Sequence, residues 1–174
     1  MEKVTNKKLY HIHRINKNRP LGINDTLETS SEYNSFFRDY DTKDIPQVFN
    51  VNGLLTYYWH FARETAVEEV RVSINNDLPS RKRCLWLTDV RSLDYWIGEV
   101  NFNPKEFQLL ELEVTGAVFK CDASFIEGNP MKLNDVRERA IRYWSGEILD
   151  TKKVEYLFEG TAKVTRVLEL SSAN

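Results

Sequence analysis

Alternation constrains this chain more than any other feature. In FQLLELEVTGAVFKCD (107–122) apolar side chains recur at every second position over most of the run, the period of a strand with one buried face. Gly116 interrupts the run, so the stretch predicts a strand pair broken at that glycine. A last pair follows as EYLF and TAKVTRVLEL, with Glu159 and Gly160 between them reading as a solvated turn. LYHIHRI (9–15) and RCLWLTDV (83–90) supply two more strands.

Helical spacing is confined to the remainder. In NGLLTYYWHFARETAVEEVRVSI, residues Leu54, Leu55, Tyr58, Phe61, Ala62 and Thr65 fall on one stripe, and Val67, Val70 and Val72 continue it as helix or as a following strand. SLDYWIGEV predicts a short helix. NDVRERAIRYWSGE (134–147) predicts another, with Asn134 as N-cap and Val136, Ala140, Ile141 and Trp144 on one face. The stretch between the first strand and the long helix is rich in Asn, Pro and Gly and reads as a long loop over 16–50. Strands dominate, with two or three helices between them, which is an α+β domain spanning 1–174.

Composition narrows the class further. With 174 residues, 41% hydrophobic and 29% charged, the chain suits one domain with a real core and lacks a disorder signature. No apolar run approaches a membrane span, and MEKVTNKKLY lacks the apolar stretch of a signal peptide, so an intracellular, cytoplasmic protein is expected. Cys84 and Cys121 have no CxxC spacing and are expected as reduced, buried thiols. The net charge of -2 gives no overall pull toward nucleic acid, although SRKRC (80–84) is a local basic patch.

Several residues invite a chemical reading. Strand parity puts His11 and His13 on the same side, a metal-like spacing that lacks a third ligand. His60, Glu64 and Glu68 share a helix face that could bind a metal, but Arg63, Glu69 and Arg71 beside them favour an ordinary charged face. Trp86 in an apolar strand reads either as core or as a flat shelf for a ligand. Ser80 and Arg81 could contact phosphates or simply cap a loop. Glu155 opens the last strand pair, where a carboxylate either pairs at the surface with Lys153, Lys163 or an arginine, or is held at a cleft.

LYHIHR, CLWLTDVRSLDYW and VEYLFEGTAKV, in that order, resemble the three cleft motifs of the ADP-ribosyltransferases, in the diphtheria-toxin and poly(ADP-ribose)-polymerase-like branch that carries a His–aromatic–Glu set. The resemblance implies split, bent antiparallel β-sheets with a few helices around an NAD cleft, with NAD as substrate and no metal. It makes His11 the residue that binds the adenosine ribose and counts it, with Glu155, among the catalytic residues. Ile12 and His13 stand where the family commonly has Gly and then Ser or Thr, and Ile12 still offers backbone N–H and C=O groups to the nicotinamide amide. Trp86 takes the place of the tyrosine that stacks on nicotinamide, Tyr95 is a second aromatic able to close the pocket, and Glu155 matches the catalytic glutamate. Lys153 stands where the arginine-modifying toxins have Glu or Gln, which argues against that pattern.

The function so implied is transfer of ADP-ribose from NAD to a macromolecular acceptor with release of nicotinamide. Small domains of this kind resemble bacterial toxins or phage-defence effectors, and a toxin would imply an antitoxin or inhibitor partner. Nucleic acid is placed ahead of protein as acceptor, because Tyr33, Phe36, Phe37 and Tyr40 in the long loop could stack on bases while SRKR contacts phosphates. NAD hydrolysis, or an inactive module that binds NAD, ADP-ribose or a partner, are the alternatives.

Overall fold

The computed structural model describes residues 1–15, 19–42 and 50–169. In chain order the elements are β1 (Glu2–Arg14), β2 (Thr26–Glu28), α1 (Ser35–Thr42), α2 (Val51–Ile74), β3 (Leu85–Leu87), α3 (Leu93–Glu99), β4 (Phe107–Asp122), α4 (Leu133–Trp144) and β5 (Val154–Leu168). The class is α+β, with an antiparallel sheet and four α-helices among the described residues. No described helix is long and apolar enough to cross a membrane.

The sheet is built on β4 and β5, each a single long strand rather than the expected broken pair. Gly116 and Gly160 face one another in the β4–β5 register, at φ +156° and +144°. A Cβ on Gly116 would lie 2.2 Å from the Glu159 carbonyl oxygen, and one on Gly160 would lie 2.5 Å from that of Thr115. Only glycine permits so close an approach of two backbones. The two residues therefore carry the strands through a crowded point instead of ending them. Glu159 lies within β5, half-buried, and accepts a hydrogen bond from the Ser80 amide at 3.2 Å, so the expected solvated turn is absent.

Gly160 also divides the outer edge of β5. Before it, β3 pairs with Tyr156–Phe158; after it, β2 pairs with residues 161–163. The other edge of β5 pairs with β4, and β4 pairs with β1. Just beyond β3, Thr88 makes an isolated bridge to Tyr10 of β1 through two backbone hydrogen bonds, at 2.8 and 2.9 Å. The order β1–β4–β5–β3 thus closes on itself through one bridge, and β1 and β3 are otherwise unpaired with each other.

Alternation along β4 and β5 sorts the core into two layers. Leu110, Leu112, Val114, Val118, Tyr156, Phe158, Ala162 and Val164 pack inside the curved sheet with Leu9 and Leu87. Phe119, Cys121 and Leu157 face the other way, against Val67 and Val70 of α2 and Val136, Ala140, Tyr143 and Trp144 of α4. Both cysteines are buried and unbridged, as expected.

The helices depart from their predicted stripes. On α2, Leu55 and Tyr58 are exposed, while Glu64, Ala66, Val67, Glu68, Val70 and Arg71 are buried. Val67 and Val70 continue the helix. On α4 the N-cap is Lys132, with Asn134 in the first turn bonded to Glu138. Ile141 is exposed and Tyr143 is fully buried in its place. The expected loop 16–50 contains β2 and α1, and its residues 16–18 and 43–49 lie outside the described residues.

Candidate active-site cleft

The cleft opens where β1 and β3 part from their single bridge. An apolar slot of about 230 Å³ is lined by Tyr10, His11 and Ile12 of β1, Trp86–Thr88, Trp96 and Val100 of the α3 region, and Glu155. A second, more polar cavity of about 310 Å³ is lined by His11, His13, the segment from Leu27 to Phe36, Arg38, and Arg83–Trp86. His11 and Trp86 are common to both, and the His11 Nδ1 lies 2.9 Å from the Trp86 carbonyl oxygen.

That contact assigns the imidazole. A carbonyl oxygen can only accept, so Nδ1 carries the proton and Nε2 of the neutral ring is left as an acceptor. Burial is the main force holding the ring neutral. It lowers the His11 pKa from 6.5 to about 4, against the opposing pull of the Trp86 carbonyl and with a further push from His13. His13 is held by Nε2, 3.0 Å from the Arg19 carbonyl oxygen, and burial lowers its pKa too. The His11 and His13 rings are 5.7 Å apart on the same side, as parity predicts.

A histidine whose folded pKa lies below its unfolded value contributes stability that is complete above pH 6.5 and is lost as the pH falls toward about 4. Imidazole nitrogen shifts followed by NMR should therefore show His11 as the neutral Nδ1–H tautomer from pH 8 down to pH 5. A midpoint near 6.5 would mean that water solvates the ring and that desolvation does not hold it neutral.

The backbone of β1 contributes as well. Ile15 donates to Glu106 on the β4 side, whereas Tyr10 exchanges both bonds with Thr88 on the β3 side. Backbone groups alternate along a strand in an antiparallel ladder, so Ile12, two residues beyond Tyr10, points its N–H and C=O toward β3 and the slot.

Glu155 shares the parity of Leu157 and Cys121, which turns it toward the helices. It is only 6% exposed and pairs with neither Lys153 nor Lys163, so its expected place at the surface is corrected, while the arginine named among its expected partners is present as Arg81. Its Oε1 accepts from Arg81 Nη1 at 2.6 Å and from the Tyr143 hydroxyl at 2.7 Å. Arg81, expected at phosphates or in a capped loop, is instead 4% exposed and also ion-pairs with Glu64 at 2.6 Å. Burial pushes the Glu64 carboxyl up, but the Arg81 and Arg63 guanidiniums outweigh it and hold its pKa below the ordinary value.

The charged face expected on α2 is therefore a buried ion-pair network. Glu68 accepts from the Arg81 amide, Ser80 and Arg71 at 2.6, 2.9 and 3.0 Å. With Glu64 and Glu68 so engaged, His60 has no carboxylate partners left for a metal. No three described His, Cys, Asp or Glu side chains form a metal-binding group.

Tyr95 does not reach the cleft. Its hydroxyl donates to Glu127 at 2.7 Å, and Lys153, which pairs with Glu127 at 2.8 Å, lies over its ring. On a helix the next residue points about 100° away, and it is Trp96 that lines the slot, pinned by Nε1 to the Val154 carbonyl at 2.9 Å. The long-loop aromatics are structural rather than free to stack on bases. Phe37 is buried, Phe36 packs on Trp86 and Tyr40, and Tyr40 packs on Tyr57 and Phe61. Tyr33 alone stays exposed at the mouth of the polar cavity, with Lys82 and Arg83 over its ring at 5.9 and 5.8 Å.

Fold and cleft together define an α+β protein with a bipartite cavity set in a gap of its antiparallel sheet. Residues 41–170 match the family described as "Protein of unknown function (DUF2441)", which covers more than half of the chain. The chain belongs to that family. No curated protein matches it.

Proposed function

We propose that this chain is an NAD-dependent ADP-ribosyltransferase. The observation that carries the reading is the convergence of His11, Ile12, Trp86 and Glu155, from three segments far apart in sequence, on one slot. The slot has the chemistry that a nicotinamide riboside end requires. Trp86 and Trp96 offer flat apolar walls, the Ile12 backbone offers a donor and an acceptor to a primary amide, and Glu155 supplies one carboxylate. The polar cavity beyond His11 suits the adenosine and phosphates, with the His11 Nε2 accepting from a ribose hydroxyl and Arg83 at the rim. The strand gap between β1 and β3 is what a split-sheet ADP-ribosyltransferase fold would use to admit the dinucleotide.

In this reaction the bond between the nicotinamide nitrogen and ribose C1′ breaks, and its electron pair leaves with nicotinamide. Glu155 stabilises the positive charge that develops on the ribosyl ring by accepting from the 2′-hydroxyl. The acceptor then bonds to C1′, and its proton passes to the Glu155 carboxylate. A macromolecular acceptor would approach over the rim formed by Tyr33, Lys82 and Arg83, a surface suited to a base and its phosphate and so to a nucleic acid.

Adenine-labelled NAD incubated with the purified protein and separate pools of RNA, DNA and cellular protein tests both parts. Label in the RNA or DNA pool is the expected result. Label in protein alone keeps the transferase and moves the acceptor, and free ADP-ribose without labelled macromolecule makes the enzyme a hydrolase. Intact NAD in every pool overturns the proposal in favour of a binding module.

A further inference from the structure

The structure assigns Arg81, Tyr143 and Glu64 to the positioning of Glu155, an inference that rests on the catalytic role proposed for that carboxylate. Strand parity fixes only the direction of the Glu155 Cβ, and a glutamate has three further torsions before its oxygens are placed. Two donors remove that freedom. Arg81 Nη1 and the Tyr143 hydroxyl both donate to the same oxygen, Oε1, and Arg81 Nη1 also donates to the Tyr143 hydroxyl oxygen in a short bond. Oε2 takes neither bond, and Glu155 is among the residues that line the slot.

Arg81 is itself held from behind. Glu64 engages it in a fork, from Nε at 2.6 Å and from Nη2 at 3.3 Å, and Glu68 takes its backbone N–H at 2.6 Å. Glu68 is tied in turn to Arg71, whose Nη1 donates to the Asn76 and Leu78 carbonyls at 2.8 Å each. A line of buried charge thus runs from α2 to the start of β5. The Arg81 guanidinium also lies 5.1 Å from the centre of the Trp86 ring, so one group orients both the carboxylate and the aromatic wall. Arg81, Glu64 and Tyr143 do not themselves line the slot and act through Glu155 and Trp86.

Fold stability does not call for such an arrangement. Buried ion networks are commonly replaceable by apolar side chains without loss of stability. One guanidinium N–H and a hydroxyl converging on one carboxylate oxygen give what apolar packing cannot, a fixed oxygen position. Misplacing a reacting group by about 1 Å costs on the order of 10²-fold in rate.

The test uses the full chain, with NAD as the probe and kcat, KM and thermal midpoint as readouts. Tyr143→Phe removes one hydroxyl and keeps the ring that packs edge-on against Trp144. It is expected to lower kcat about 10- to 100-fold while KM stays within about threefold and the melting temperature stays near that of the wild type. Glu64→Gln, which keeps shape and loosens Arg81, should lower kcat less and in the same sense. An active wild type with a fully active Tyr143→Phe variant overturns the positioning role alone. A fall in activity that merely tracks loss of folded protein in both variants overturns it as well. A wild type that consumes no NAD removes the catalytic reading of Glu155, and the positioning role falls with it.

Discussion

Replacing Arg81 by methionine is expected to cost about 3–5 kcal/mol of folding stability at pH 7, a large share of what a domain of this size has. Methionine keeps the volume, so the loss is not a cavity effect. It comes from leaving Glu64 and Glu155, 1% and 6% exposed, without the guanidinium that both share. Arg63 still reaches Glu64 at 3.0 Å and Tyr143 still reaches Glu155, which keeps the cost within that range. The pH dependence identifies the cause. In the wild type, burial raises the Glu64 carboxyl while Arg81 and Arg63 together hold it below its ordinary value, so its contribution is present above the ordinary carboxylate range and is lost as the pH falls through the folded value. Without Arg81 the burial effect gains the upper hand, and protonation becomes the way to relieve the buried charge. The deficit should therefore be largest at pH 7 and narrow at pH 5, read from urea unfolding of both proteins at the two values. A loss under about 1 kcal/mol at pH 7, or a deficit that widens on acidification, would rule out the unpaired carboxylates as its origin.

The contrast between Arg81 and the other site residues shows what a single sequence can reveal. Alternation made the strand-borne groups legible: parity alone placed His11 beside His13, and Trp86 and Glu155 stood out as polar or aromatic departures in apolar strands. Whether a glycine ends a strand or bends it was not legible, because the answer depends on which backbone lies opposite. Gly116 faces Gly160, 44 residues further along, and that proximity exists only in the folded sheet. That Trp96 and not Tyr95 lines the slot is hidden in the sequence for a related reason. A seven-residue helix places two adjacent aromatics on different sides, and only docking decides that Trp96 faces the slot. Arg81 and Glu64 were hidden because charged residues are exposed far more often than buried. A signal was nonetheless present: Glu64, Val67, Glu68 and Arg71 recur at helical spacing on one stripe, so carboxylates share a face with a core valine. Tyr143 carried the same information on α4, three and seven residues after Ala140 and Val136.

Glu155→Gln is expected to reduce NAD turnover by roughly 10²- to 10⁴-fold while the protein stays folded and still binds NAD. Glutamine keeps the length and planarity of the side chain, and its amide oxygen can accept from Arg81 and Tyr143 in place of Oε1. What changes is the second position, where an NH₂ replaces Oε2, the oxygen that neither donor engages. An amide there can neither take the acceptor's proton nor balance positive charge on the ribosyl ring, and it presents a donor where the 2′-hydroxyl needs an acceptor. In the proposed reading, affinity for NAD comes from contacts made before the bond breaks, with the Trp86 and Trp96 faces, the Ile12 backbone and His11, slot residues that the substitution does not touch. KM should thus move far less than kcat, the signature of an interaction made in the transition state rather than in the ground state. His11→Ala should do the opposite, raising KM most, if its Nε2 accepts from the ribose as proposed. Turnover of the Glu155→Gln protein within about threefold of the wild type would remove Glu155 from the chemistry, and the buried pair it forms with Arg81 would then stand as a structural contact at the foot of β5.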